Sequence, residues 1–301
     1  MKTPVPSLYE RAHAVDAGGS RLCVSRLGAA APALERTVIL LHGNPTHMDI
    51  FRELAPPLRS MRNVVAFDHP GLGRSDAFRN GVCTLERSAM LVPALLDALD
   101  IRGPVDLIGQ SHGAMVAVTA AALVPDRIRS VTLLASGGTP AHGAYRLLRG
   151  APGMVHWLPP IAAGLYGGTS RTSAARTFTR LAVRGSFHPH AAPGWFVDDE
   201  VTNLRGPTTV ATMVGLALDN PCEKVAGHIG QVQCPLLMVH GEDDELVDIK
   251  YARNLWRKAP SDPRGRFRAL PNAGHMLHIT HRDELLALLD TWWPQCDQRA
   301  G

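Results

Sequence analysis

The amino-acid sequence predicts an α/β protein whose sheet is mostly parallel. Short apolar runs typical of strands buried on both faces, such as 37–41 and 63–67, alternate with segments of helical periodicity. The run that begins at Val105 leads into a sharp Gly-containing turn, and the Ala-rich, proline-free stretch after the turn favours a helix. Strand and helix repeated in turn favour parallel strands with helices on both faces of the sheet.

The remaining elements follow in order along the chain. A β-hairpin is predicted where 13–16 and 21–26 flank Gly18 and Gly19. The apolar positions of 84–100 recur with the period of a helix. The other predicted elements are a strand at 129–134, strands at 235–239 and 266–270, and a closing helix at 282–293 that ends at Pro294.

The segment between the early and late strands has a different character. It is rich in Gly and Pro, carries several aromatic residues and shows no clear strand, which favours an inserted helical cap at 139–229. Short helices are expected within it at 173–183 and 208–218. The core domain is then predicted in two parts, 1–138 and 230–301.

Composition restricts the class of protein and its partners. The 301 residues are 45% hydrophobic and 19% charged, as is usual for globular enzymes, and the net charge of +4 comes from residues spread along the chain. We therefore expect a small-molecule substrate and neither a nucleic acid nor a membrane as partner. The five scattered cysteines show no zinc or disulfide spacing, and no run reaches the roughly 18 apolar residues of a membrane span. A cytoplasmic protein without a metal or other cofactor is expected, as a monomer or a homo-oligomer.

The turn at 109–113 has the pattern Gly-x-Ser-x-Gly of a nucleophile elbow. Its glycines let two backbone segments approach where a Cβ would clash, and the strained turn exposes the oxygen of Ser111. Such a serine needs a base and a carboxylate, which follow it on loops after late strands. His275, directly after the strand at 266–270, is the predicted base.

Other residues compete for these two roles. His278 and His281 are the rival bases, but their position at the start of the next helix favours a surface or capping role. Among the four acids after the strand at 235–239, Asp244 is preferred because three residues past Gly241 leave room for the turn. Asp243 is the alternative acid.

The oxyanion needs two preorganised N–H donors. The backbone of His112 is one candidate, because it follows the nucleophile at a helix N-terminus. The backbone of Asn44, after the strand at 37–41, is the other, since Pro45 cannot donate. The Gly-rich loop at 68–76 is assigned a structural role.

Taken together, these motifs resemble the α/β-hydrolase family, in that family's order and over the whole chain. They are His42-Gly43, Asp68-x-Pro-Gly-x-Gly-x-Ser75, the elbow, Gly241-x-x-Asp244 and Ala273-Gly274-His275. The resemblance implies an eight-stranded, mostly parallel core flanked by helices and a helical cap between strands six and seven. The loop at 42–46 is similar to that of haloalkane dehalogenases, which attack with an aspartate where this chain has Ser111.

Two enzymatic functions remain open from the sequence. The first is a serine hydrolase that cleaves a carboxylic ester or lactone of a small to medium, mainly apolar substrate. The second uses the same three residues for a C–C bond, or for a lyase, transferase or cyclase step. An idle hydrolase scaffold that binds a ligand is disfavoured, because Ser111, Asp244 and His275 are all present.

Overall fold

The structure, a computed structural model, describes residues 5–29, 36–79, 83–137, 183–203, 208–209, 212, 215–216 and 219–298. Most of the predicted cap, including residues 173–182 of its expected helix over 173–183, lies outside the described residues. Within the expected helix at 208–218, the five described positions are helical. The domain boundaries therefore stay predictions.

Eight strands form one sheet with the order β1-β2-β4-β3-β5-β6-β7-β8. The first two strands are the predicted hairpin; β1 pairs with β2 and β2 with β4 in antiparallel fashion, and all other pairs are parallel. The strands are β1 (Ala12–Ala17), β2 (Ser20–Leu27), β3 (Thr37–Leu41), β4 (Asn63–Phe67), β5 (Val105–Gln110), β6 (Ile128–Leu134), β7 (Leu236–Gly241) and β8 (Arg266–Leu270). The α/β class with an eight-stranded, mostly parallel sheet is confirmed.

Helices cover both faces of the sheet. They are α1 (Ala55–Leu58), α2 (Leu85–Ala98), α3 (His112–Leu123), α4 (Gly194–Asn203), α5 (Pro221–His228), α6 (Ile249–Trp256), α7 (Leu277–Thr280) and α8 (Arg282–Asp297). Residues 183–187 are also helical. The start of α2 is fixed by Thr84, whose side chain accepts a hydrogen bond from the backbone N–H of Arg87.

The sheet separates two apolar clusters. In β3, Ile39 and Leu41 face the cluster under α2 and α3, whereas Val38 and Leu40 face the cluster that contains Trp293 of α8. Burial on both faces explains why this strand is a continuous apolar run, and why its predicted bounds are those observed.

Two predicted boundaries near the C-terminus were wrong. Helix α8 does not end at Pro294 but continues to Asp297, because burial of Trp293 and Cys296 holds the turns on both sides of the proline. Strand β7 continues through His240 and Gly241, which pair with β8. The acidic loop therefore starts at Glu242, whose N–H donates to Leu270 O at 2.9 Å.

A buried ionic cluster lies at the amino end of β5, opposite to the elbow. Asp106 is fully buried and accepts from Arg62 Nε at 2.7 Å, Arg129 Nη1 at 3.2 Å and Ser130 Oγ at 2.7 Å. Arg62 also lies over the ring of Trp293, 4.5 Å from its centroid. Arg62 directly precedes β4, and Arg129 and Ser130 belong to β6. The cluster therefore links β5, the strand that ends in the elbow, across β3 to the start of β4 on one side and to β6 on the other.

None of the helices in the described part of the chain is long and apolar enough to cross a membrane. All five cysteines lie in the described ranges and none of them forms a disulfide there; Cys83 and Cys296 are buried and the other three are half-buried.

Candidate active site

Ser111 lies at the carboxyl end of the sheet, between β5 and α3. Its backbone has φ 53° and ψ −114°, a left-handed conformation that is strained for a residue with a Cβ and costs of the order of 1–3 kcal/mol. It occupies the N-cap position of α3, but its side chain makes no capping hydrogen bond. The turn thus presents the hydroxyl at a helix N-terminus, where partial positive charge favours a developing anion.

The two glycines of the elbow allow this turn. A Cβ on Gly113 would lie within 3.0 Å of Leu41 O, and a Cβ on Gly109 would lie within 3.0 Å of Gly113 O. Helix α3 therefore packs directly against the end of β3 and against the strand that leads into it.

We expect Gly113→Ala to lower the free energy of unfolding by about 3 kcal/mol, because the new methyl group meets backbone atoms that cannot rotate away. Gly103→Ala is the matched control, since a Cβ there has no neighbour within 4 Å. Its expected effect is within about 0.5 kcal/mol. Urea unfolding of both variants checks this, and equal stabilities would contradict the close approach.

The structure brings two of the predicted catalytic residues into direct contact. Asp244 follows β7 and His275 follows β8, and His275 Nδ1 lies 2.8 Å from Asp244 Oδ2. The other carboxylate oxygen, Oδ1, accepts the N–H groups of Leu246 and Val247, each at 2.9 Å. Because a carboxylate only accepts, Nδ1 of His275 carries the proton and Nε2 keeps its lone pair.

The surroundings of Asp244 favour its charged form. Burial acts to raise the pKa of this carboxyl, but the charge and hydrogen bond of His275 and the Val247 N–H outweigh burial and lower the pKa from 3.8. Nε2 of His240 lies 3.4 Å from Asp244 Oδ2 and 2.7 Å from Val247 O. The carboxylate can therefore hold the ring of His275 and offset a charge that develops on it.

The rival residues lie elsewhere. Asp243 is exposed, and its backbone N–H donates to Ala273 O at 3.0 Å. The expectation of a surface or capping role was wrong for His278, which is fully buried with its ring 5.3 Å from that of Phe51. Burial lowers the pKa of His278 to about 3. His281 is at the N-cap of α8, but its side chain makes no capping hydrogen bond.

The loop after β3 lies against the elbow. A Cβ on Gly43 would be 3.2 Å from the Cβ of Ser111 and within 3.0 Å of Gln110 Oε1. Gln110 Nε2 in turn donates to His275 O at 3.3 Å. The Gln110 side chain, next to Ser111, therefore contacts the His275 loop and lies beside Gly43, the residue before Asn44. Among the described residues, the buried Oδ1 of Asn44 has no hydrogen-bond partner.

Three buried imidazoles, those of His42, His69 and His112, lie near one another beside the elbow. His42 donates from Nδ1 to Gly43 O at 2.8 Å and accepts the His69 N–H at Nε2, 2.9 Å away, which fixes its tautomer. The rings of His42 and His69 are 4.6 Å apart, and the ring of His112 is 6.2 Å from that of His69. Burial lowers the pKa of His42 to about 3 and that of His112 to about 4, so both are neutral at pH 7.

The loop at 68–76 has the contacts of a structural element. Asp68 is fully buried and accepts from Tyr9 Oη at 2.8 Å, the Met48 N–H at 2.7 Å and the Arg74 N–H at 2.8 Å. Burial raises its pKa to about 6 despite these hydrogen bonds. These contacts join the loops that follow β3 and β4.

A protein-family model matches most of the chain. The family model for the alpha/beta hydrolase fold matches residues 36–282, which include the elbow, Asp244 and His275. The chain belongs to the α/β-hydrolase fold family.

Curated relatives of this α/β hydrolase include esterases and other hydrolases. It is 27% identical over 258 residues to the pimeloyl-[acyl-carrier protein] methyl ester esterase of Neisseria meningitidis serogroup A, covering 85% of this chain and 76% of that one. It is 24% identical over 299 residues to the 2-hydroxymuconate semialdehyde hydrolase of Pseudomonas putida, covering 93% of each. A match to the uncharacterized hydrolase YugF of Bacillus subtilis, at 32% identity, spans 34% of this chain and 37% of that protein.

Solved structures show the same fold. A thermophilic esterase from Thermogutta terrifontis superposes with a TM-score of 0.71 at 18% sequence identity, over 95% of this chain and 99% of the other. At this identity the likeness shows the fold alone.

Two residues of this α/β hydrolase were missed by the sequence reasoning. Gln110 lies within the elbow pattern at a position whose side chain the pattern does not specify. Asn203, at the end of α4, donates from Nδ2 to Pro45 O in the loop after β3. No local pattern signals Asn203, because 158 positions separate it from its partner.

A buried acid lies one turn before Asn203. Glu200 is 3% exposed, and burial, with the nearby charge of Asp199, raises its pKa from 4.5 to about 8. The folded state therefore binds a proton here more tightly than the unfolded chain, so this group destabilises the fold increasingly as pH rises from about 4.5 to about 8.

We expect Glu200→Gln to raise the melting temperature relative to wild type at pH 9 and to change it little at pH 4.5. Thermal unfolding at both pH values measures the difference, and the exposed Glu242→Gln is the control. A difference that shrinks as pH rises would contradict the raised pKa.

Proposed function

We propose that this α/β hydrolase is a serine hydrolase that cleaves a carboxylic ester or lactone of a small to medium, mainly apolar substrate. The observation that carries the proposal is the 2.8 Å hydrogen bond between His275 Nδ1 and Asp244 Oδ2. It leaves Nε2 of a buried imidazole as a base, on a loop that Gln110 ties to the elbow. The likeness to a methyl ester esterase supports the ester as the bond cleaved.

The proposed reaction proceeds through an acyl-serine. His275 Nε2 takes the proton of Ser111 Oγ as this oxygen attacks the carbonyl carbon, and the N–H groups of Asn44 and His112 stabilise the oxyanion. Collapse of the tetrahedral intermediate breaks the ester C–O bond, and the protonated His275 gives its proton to the leaving alkoxide. Water then loses a proton to the same imidazole and attacks the acyl carbon. Collapse of this second tetrahedral intermediate breaks the bond to Ser111 Oγ, which takes the proton back from His275 as the acid leaves.

The substrate is proposed to be a small molecule. In the described parts of the chain, no group of three or more His, Cys, Asp or Glu side chains could hold a metal ion. The apolar character of the substrate is inferred from the aromatic and aliphatic residues of the predicted cap.

Hydrolysis of p-nitrophenyl esters tests the proposal. We expect wild type to release a burst of p-nitrophenol equal to the enzyme concentration if deacylation is slower than acylation, and Ser111→Ala to lower kcat by about 10⁴-fold or more. Ser60→Ala is the control, because Ser60 is exposed and, among the described residues, its Oγ makes one hydrogen bond, to Pro57 O. Equal activity of Ser111→Ala and wild type would remove Ser111 from the mechanism.

A second candidate keeps Ser111, Asp244 and His275 and changes the bond. It is the hydrolysis of a C–C bond, or a lyase, transferase or cyclase step. The likeness to a hydrolase named for a semialdehyde, which is not an ester, favours this candidate. Labelling of Ser111 by a fluorophosphonate without any turnover of a series of esters would support it over the first.

A further inference from the structure

Helix α4, in the predicted cap, lies along the loop that follows β3 and contacts it at two places. Near the middle of the helix, Asp199 Oδ2 lies 2.5 Å from Arg52 Nη2. The guanidinium of Arg52 also lies 4.3 Å from the ring centroid of Trp195. At the end of the helix, Asn203 Nδ2 donates to Pro45 O. The helix therefore holds both ends of the segment from 45 to 52.

The side chain of Asn203 makes a hydrogen bond from each end of its amide. Its Nδ2 donates to Pro45 O, and its Oδ1 accepts the Gly73 N–H at 3.3 Å. These two bonds fix the orientation of the amide, since the carbonyl of Pro45 requires the NH₂ group and the N–H of Gly73 requires the oxygen. Asn203 is 9% exposed. One buried amide thus joins the loops that follow β3 and β4 to α4.

The contact with Pro45 is adjacent to the proposed oxyanion donor. The N–H of Asn44 belongs to the peptide between Gly43 and Asn44, and Gly43 packs against Ser111. Inside the loop, Gly43 O is held by His42 Nδ1 at 2.8 Å and Thr46 Oγ1 at 2.9 Å. These contacts hold the residue before Asn44, and Asn203 holds the residue after it.

We propose that Asn203 is a positioning residue that aims the Asn44 N–H at the oxyanion by fixing the carbonyl of Pro45. This inference rests on the proposed serine hydrolase. Displacing a reacting or stabilising group by about 1 Å costs about 100-fold in rate, so a loop that loses this anchor loses rate without losing the fold. The helix would then act on catalysis through a residue that never touches the substrate.

Two variants and one control test this. Asn203→Ala removes both hydrogen bonds, whereas Asn203→Asp keeps the shape and the acceptor for Gly73 but replaces the donor to Pro45 O with an oxygen that repels it. Thr202→Ala, on the exposed side of the same helix, is the control. Rates are expressed per active site, counted by fluorophosphonate labelling, so that a smaller folded fraction does not count as slower catalysis.

We expect both Asn203 variants to lower kcat for a p-nitrophenyl ester by about 10- to 100-fold with KM changed by less than about 3-fold. Their affinity for a trifluoromethyl ketone, which forms an oxyanion on addition of Ser111, should fall by the same factor as kcat/KM. Thr202→Ala should match wild type. If Asn203 is purely structural, its substitution should lower the melting temperature and leave kcat and the affinity for the ketone at their wild-type values.

The outcomes separate this inference from the proposed function. If wild type labels at Ser111 and both Asn203 variants keep the wild-type kcat and ketone affinity, the positioning role is wrong and the serine mechanism stands. If wild type neither labels at Ser111 nor cleaves esters, both are wrong. If Asn203→Ala does not fold, Asn203→Asp alone decides, since it retains the volume of the side chain and the bond to Gly73.

Discussion

Asp244→Asn is expected to lower kcat by about 10⁴-fold with little change in KM. The reason follows from the hydrogen bonds at this carboxylate. Oδ1 accepts two backbone N–H groups, so the carbonyl oxygen of the new Asn takes that place and its NH₂ group faces His275. The NH₂ group can only donate, which forces the lone pair onto Nδ1 and the proton onto Nε2, where it blocks the base.

The neighbouring Asp243→Asn is the matched control, because Asp243 has the same chemistry one residue earlier but is exposed and does not contact His275. We expect its kcat to be within 2-fold of wild type, roughly the scatter expected for a surface substitution. Ester hydrolysis per active site measures both. A large loss in Asp243→Asn with normal activity in Asp244→Asn would show that the acid is Asp243.

Asp106→Ala is expected to lower the free energy of unfolding by about 3–5 kcal/mol, because it leaves two arginines inside the protein without their common carboxylate. Asp97→Ala is the control: Asp97 pairs with Arg127 at 2.9 Å, but its side chain is 69% exposed. Such a surface pair contributes about 0–1 kcal/mol.

Urea unfolding compares the two aspartate variants. Asp106→Asn, which keeps the shape and one acceptor for Ser130, should be more stable than Asp106→Ala. If Asp106→Ala and Asp97→Ala lower the free energy of unfolding by similar amounts, the ionic cluster at the amino end of β5 does not stabilise this strand.

Local patterns predicted the elements that carry the site. The run Thr37–Leu41 is buried on both faces, so composition alone gave its bounds. The close approach of backbone segments at Gly109 and Gly113 depends on five consecutive residues, so a local pattern could predict it. The order of the elements after the elbow placed Asp244 and His275 on neighbouring loops. Their contact needed only that β7 and β8 be parallel neighbours.

Contacts between residues far apart along the chain could not be predicted from the sequence. The burial of His278 depends on Phe51, far away along the chain, and the continuation of α8 beyond Pro294 depends on the burial of Trp293. Asn203 reaches Pro45 only because the sheet and α4 place them together. None of these contacts has a local periodicity or spacing that could reveal it.

Mapping the site of a fluorophosphonate label identifies the nucleophile. We predict that mass spectrometry of the digested protein finds the label on Ser111 alone, and that His275→Ala slows the labelling by at least about 100-fold, because the base that removes the proton is gone. A label on another residue, or undiminished labelling of Ser111→Ala, would show that Ser111 is not the nucleophile.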